Sequence, residues 1–308
     1  MKNYNACKEF FKNVSPFNNR EEMSPVLFVV KKVLAFWLCY MGGALVGEGA
    51  VILLFIALGK NVFIGEMFSP QTMLLIKYYG YILTIGVALL YWKKIEKKPL
   101  SDMGLTKKFG NYFIGVILGI SLVLLCTFLI ILTGSMQYTG IFKEVDILLV
   151  FLFIGGFVVQ GATEEILCRG IVLHSLKEKT STKRGVIVST LLFILPHTLT
   201  LWEVDALYGC IGIVNLVLIS IILSALTLRY KSIWAACGLH SFWNAVLYCV
   251  LGLNVSGSEE SVAAIFRIKS IGENICNGGI YGMEASIVTM VVLAIIAVIM
   301  IKGKGRAA

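Results

Sequence analysis

Three short stretches carry the side chains able to do chemistry. In GATEEILCRG (161–170), Glu164, Glu165 and Arg169 arrive close together, directly after an uncharged run from Ile147 to Gln160. FILPH (193–197) ends on His197, and HSFWN (240–244) holds His240 and Asn244. The chain has only 3 histidines, and two of them are here. On a helix, Glu165 and Arg169 are i and i+4, acid before base, and His240 and Asn244 are spaced the same way, so each pair shares a face. Glu164 points about 100° away from Glu165, which frees the two carboxylates for different work. Groups of these types at membrane depth mark substrate paths, proton relays and active sites.

The elements that would position them are apolar. Of 308 residues, 58% are hydrophobic and 15% charged, and the mean hydropathy is +0.86; soluble domains carry about 25% charge. A membrane-spanning helix needs about 20 mostly apolar residues. Eight segments qualify, near 33–58, 72–92, 112–133, 147–168, 186–202, 208–228, 232–253 and 282–301. They are continuous runs, unlike the short alternating segments of a membrane barrel. The expected fold class is an all-α polytopic membrane protein of about eight transmembrane helices, with the chemistry in helices four to seven. The chain then divides into a cytoplasmic N-terminal segment (1–32), a three-helix membrane scaffold (33–133), a core (147–253), an extracytoplasmic loop (254–281), and a last helix with a basic cytoplasmic tail (282–308). Within the loop, Ser261 to Ile271 is expected to form a short interfacial helix. The first apolar run follows a polar, basic stretch and is too long for a cleavable signal sequence, so helix one is expected to serve as both signal and anchor.

The net charge of +9 does not point to nucleic acid, because of where it lies. Only Lys60, Lys77, Lys143, Arg267 and Lys269 fall on one side of the eight-helix alternation, and every other Lys and Arg falls on the other. The positive-inside rule puts both termini in the cytoplasm. The basic residues are read as topology signals and anionic-lipid contacts. The 8 cysteines contain no CxxC and most lie in helices, so neither a disulfide framework nor a cysteine metal site is expected.

Depth links the three stretches. Helix five enters near Val186, which places His197 ~16 Å in at 1.5 Å per residue. Helix seven enters near Ser232, which places His240 ~12 Å in by the same rise. If helix four continues to about Leu176, Glu164 lies ~18 Å from its inner end. Each stretch alone has an ordinary explanation. Glu165 with Arg169 is a structural pair. His197, after Pro196, bonds a carbonyl that the proline frees. His240 and Asn244 are glue between membrane helices. Similar depth on three helices, in a chain so poor in histidine, argues for a joint role. His174 reads as an ordinary residue near the inner end of helix four. Asn215, Gln160 and Trp243 read as packing or hydrogen-bonding residues. Glu48, in VGEGAV, is an intramembrane acid with no partner evident in the sequence.

These motifs resemble a known family. EEILCR matches EExxxR, FILPH matches FxxxH and HSFWN matches HxxxN. Their order and spacing over about 147–250 are similar to the CAAX-protease and bacteriocin-processing (CPBP or Abi) intramembrane endopeptidases, the family of the type II CAAX prenyl endopeptidase. The resemblance implies that Glu164, with His197, activates a water, and that His240 and Asn244 hold the oxyanion of the tetrahedral intermediate. It implies supporting roles for Glu165 and Arg169 in orienting the helix or contacting substrate. Family members are also described as metalloproteases, in which Glu164, His197 and His240 would be the zinc ligands; two His, one carboxylate and a water suit zinc. The stretches lack HExxH spacing and Asn is a poor zinc ligand, so the metal-free glutamate mechanism is favoured, with no cofactor, and zinc is the alternative.

The expected function is hydrolysis of a peptide bond in a membrane-associated protein or peptide, in a bacterial plasma membrane. The alternative of another class is a non-catalytic immunity or scaffold protein that binds a bacteriocin or sensor. A proton-coupled transporter would show inverted repeats or paired broken helices, and the sequence shows neither.

Overall fold

The computed structural model describes residues 9–61, 68–255 and 264–303. Lys2, Cys7, Lys8, Lys304, Arg306 and residues 256–263, including Ser261, lie outside the described residues. In hydrocarbon every backbone polar group needs an internal partner, and this chain meets that demand with helices: α1 (Pro25–Ala57), α2 (Pro70–Tyr91), α3 (Gly110–Leu132), α4 (Ile147–Glu165), α5 (Thr182–Ile194), α6 (Ala206–Tyr230), α7 (Trp234–Ala245) and α8 (Ile287–Lys302). With their helical continuations, α1 to α6 are long and apolar enough to cross a membrane. The chain is an integral membrane protein. The last two expected spans are shorter: α7 has 12 residues and α8 has 16. α7 runs on only as a five-residue π turn, Val246–Val250, and stops before Gly252, whose φ of +68° no helix uses.

Helix starts follow local chemistry. Ser24 and Ser69 each cap a helix whose first residue is proline, through bonds from Leu27 N and Thr72 N; proline at that position has no amide proton to lose. Asp146, Asp205 and Ser286 cap α4, α6 and α8 through bonds from Leu149 N, Leu207 N and Val288 N. Thus α1 begins at Pro25, eight residues before the expected span. Lys31 and Lys32, expected as flanking topology signals, lie inside α1 and are fully buried. Lys32 reaches Glu96 at 2.7 Å, and Glu96 also accepts from Tyr91 Oη at 2.5 Å. Lys31 donates to Asn18 Oδ1 and the Arg20 carbonyl. Charge neutralised in this way can enter a core.

The chain forms two compact units. One comprises residues 1–107 and 163–189, the other residues 108–162 and 190–308. In the first, α1 packs on α2 where Gly43 faces Thr84, with no room for a side chain between them. Beyond α2 follow a π turn, Trp92–Glu96, and a 3₁₀ turn, Leu100–Met103, whose Met103 covers Gly170. After Glu165 the α4 backbone widens into an eight-residue π segment, Ile166–Leu173, and returns to α-helix over His174–Lys179.

In the second unit, α3 and α7 approach backbone to backbone at Gly115, Gly119 and Gly238, and α4 meets α7 where Gly161 faces Ser241. α7 is buried on almost every side. An antiparallel strand pair joins β1 (Met136–Ile141) to β2 (Phe266–Ser270), with Tyr138 opposite Ile268. The described part of the expected Ser261–Ile271 helix is therefore strand. Its order Phe-Arg-Ile-Lys alternates apolar with charged, the period of a sheet and not of a helix.

Candidate active site

His197, His240 and Asn244 line one cavity of about 40 Å³ in the second unit, room for a few water-sized groups at about 10–15 Å³ each. α5 ends at Ile194, and Pro196, which has no N–H to donate, sits in the 3₁₀ turn Leu195–His197. The imidazole Nδ1 of His197 donates to the Phe193 carbonyl at 2.9 Å. A carbonyl only accepts, so Nδ1 carries a proton; in the neutral imidazole Nε2 then keeps its lone pair. The carbonyl that Pro196 leaves without its i−4 donor is that of Leu192, so His197 bonds the next carbonyl along, not the freed one. The Phe193 ring is 5.3 Å from the His197 ring and 5.7 Å, edge-on, from that of His240.

His240 and Asn244 stand one turn apart on α7, and both are buried. The Asn244 amide donates to Gln160 Oε1 at 3.0 Å, so Gln160 has the hydrogen-bonding one of the two roles expected of it. The Trp243 indole donates to Glu284 Oε1 at 3.0 Å, and Glu284 also lines the cavity. Sequence reasoning missed Glu284. It falls within the expected last helix (282–301), whereas the structure puts it in a 3₁₀ turn between the positive-φ Gly282 and α8, which starts only at Ile287. Asn215 of α6 lines the cavity as well.

The carboxylates lie in the first unit. Glu165 and Arg169 form a fully buried ion pair at 3.0 Å on the stretch where α-helix becomes π-helix. π turns are rare and recur at functional sites; here one directly follows Glu165 and another directly follows α7. Glu164 is half-buried. His174 binds the Arg169 carbonyl at 2.7 Å, an ordinary structural role. Glu48 lines a separate groove of about 700 Å³ between α1 and α2, with Lys77. Among the described residues, no group of three or more His, Cys, Asp or Glu side chains is placed to hold a metal ion.

Two histidines and an asparagine thus gather at one water-sized cavity of a helical membrane protein. Residues 146–246 match the family model of the type II CAAX prenyl endopeptidase, Rce1-like, proteins. All three motifs fall inside the matched residues, and the resemblance to the CAAX protease family is shown there. No curated protein and no solved structure matches the chain.

Proposed function

We propose that the protein is an intramembrane endopeptidase that hydrolyses a peptide bond of a membrane-associated protein or peptide. The cavity that gathers His197, His240 and Asn244 within an Rce1-like segment carries this reading. Glu164 is the general base, with His197 presenting Nε2 to the same water. The attacked carbonyl oxygen becomes an anion, held by donors from His240 and Asn244. The proton taken from water then passes to the departing amine. Gln160, which holds the Asn244 amide, is one helical turn before Glu164 on α4. The buried Glu165–Arg169 pair keeps that helix in register. Asn is a poor zinc ligand and the motifs lack HExxH spacing, which supports a mechanism with no metal step.

The unequal distribution of Lys and Arg supports cytoplasmic termini in a bacterial plasma membrane, with anionic lipids as neighbours. Purified wild type, Glu164→Ala and His240→Ala would be offered a fluorogenic peptide library, each with and without a zinc chelator. Cleavage by wild type alone, unchanged by the chelator, is expected. Cleavage sustained in Glu164→Ala would overturn the assignment, and loss with the chelator would require a metal. Absence of cleavage by every form would leave the non-catalytic immunity or scaffold protein as the better account.

A further inference from the structure

We propose that Asn215 is a substrate-contacting residue of this cavity, its side-chain Oδ1 accepting a hydrogen bond from a peptide N–H of the bound substrate. The inference rests on the endopeptidase reading. It concerns a residue that none of the three motifs contains.

The orientation of the Asn215 amide is dictated by its neighbours. Nδ2 donates to the carbonyls of Glu284 at 2.8 Å and Ser286 at 3.0 Å. Both partners only accept, so turning the amide over would set Oδ1 against two carbonyl oxygens. Asn215 is 3% exposed, and its Oδ1 has no hydrogen-bond partner among the described residues. A buried acceptor without a donor is costly. Here it belongs to a residue lining the cavity of His197, His240 and Asn244.

The fold holds this arrangement firmly. Ser286 Oγ donates to the Cys276 carbonyl at 2.5 Å while it caps α8. The Trp243 indole grips the Glu284 carboxylate. Gly278 has positive φ and leaves no space for a side chain against Gly282 and Ala285. A turn built this way presents two carbonyls to Asn215 and thereby turns its oxygen away from them. A peptide unit offers one acceptor and one donor. His240 and Asn244 can serve the acceptor, whereas the donor needs an oxygen such as Asn215 Oδ1.

The test pairs an enzyme change with a substrate change. The probe is the library peptide that the wild type cleaves fastest, together with analogues N-methylated at each non-scissile amide in turn. In wild type, methylation at one position is expected to lower kcat/KM roughly ten-fold, the upper range for one hydrogen bond. In Asn215→Ala that penalty should fall within two-fold. Asn215→Ser replaces the alanine variant if the latter does not fold. Because each penalty is a ratio within one enzyme, a general loss of activity cancels. The same penalty in wild type and Asn215→Ala would overturn the proposal while leaving the peptidase intact, as would no position-dependent penalty at all. If the wild type cleaves no peptide, the endopeptidase reading fails and this proposal fails with it.

Discussion

Gly119→Ala should disturb the site without touching it. A Cβ at Gly119 would lie 2.6 Å from the Leu239 carbonyl oxygen, 3.2 Å from Leu239 Cα and 3.2 Å from Trp243 N. All three are backbone atoms of α7, so no side-chain rotation relieves the contact. Ordinary contact begins at 3.4 Å, which leaves α3 and α7 about 0.8 Å to separate. Overpacking of this kind costs ~1–3 kcal/mol. α7 carries His240 and Asn244, and a misplacement near 1 Å costs up to ~10²-fold in rate. The expected result is therefore a folded variant with a modestly lower unfolding temperature and kcat/KM reduced ~10–100-fold. Gly49→Ala is the control: nothing lies within 4 Å of the place its methyl would take, and alanine in a helix interior should stabilise by ~0.5–1 kcal/mol. Peptide cleavage and thermal unfolding in detergent, measured together, decide the matter. Gly119→Ala with wild-type rate would refute the idea that this glycine seam sets the position of α7.

Four further outcomes are expected. Lys32→Met strands Glu96 in the core and should destabilise by ~3–5 kcal/mol, whereas adding Glu96→Leu should recover much of that loss; denaturant unfolding of the single and double variants checks it. Arg169→Met should lower the yield of folded protein, because it leaves Glu165 buried without its counter-ion, while Glu164→Ala should fold normally and be inactive, a contrast read by size-exclusion profile beside cleavage. Trp243→Phe removes the indole donor to a carboxylate and should cost ~1.5–3 kcal/mol of stability, measured as a shift in thermal unfolding. Finally, Glu21 resists charge through burial, but hydrogen bonds and attraction from Lys179 and Lys98 outweigh this and hold its carboxyl below the ordinary value. A depressed folded value means stabilisation present above the unfolded value and lost as pH falls through the folded one. The difference in unfolding temperature between wild type and Glu21→Gln should accordingly be present at pH 7 and vanish in acid.

The membrane class and the three motifs were legible because both are local. Twenty apolar residues in a row identify themselves, and EExxxR, FxxxH and HxxxN each fit within two helical turns. What escaped depends on distant partners. Lys31 and Lys32 look like a flank until Glu96, 64 positions from Lys32, is known to meet Lys32, and Asn18 with the Arg20 carbonyl to meet Lys31. The strand pair joins Thr139 to Arg267 across 128 positions, although FRIKS does alternate and could have been read as strand. Asn215 looks like any helix asparagine, and Glu284 like an acid at the end of the last helix, until α6 and the turn before α8 bring them to one cavity. The π segments leave no composition signal, since the extra residue per turn is imposed by packing.

The bond between Trp243 and Glu284 spans 41 positions. At ~5–20 residues per second of synthesis, the carboxylate wall follows the histidine helix out of the ribosome by about 2–8 s. Until then the indole of α7 lacks its Glu284 partner and the cavity lacks that wall. A chain stopped before Glu284 would carry all three motifs and still lack the finished chamber. The lining of the cavity is thus complete only once the turn before α8 has been made.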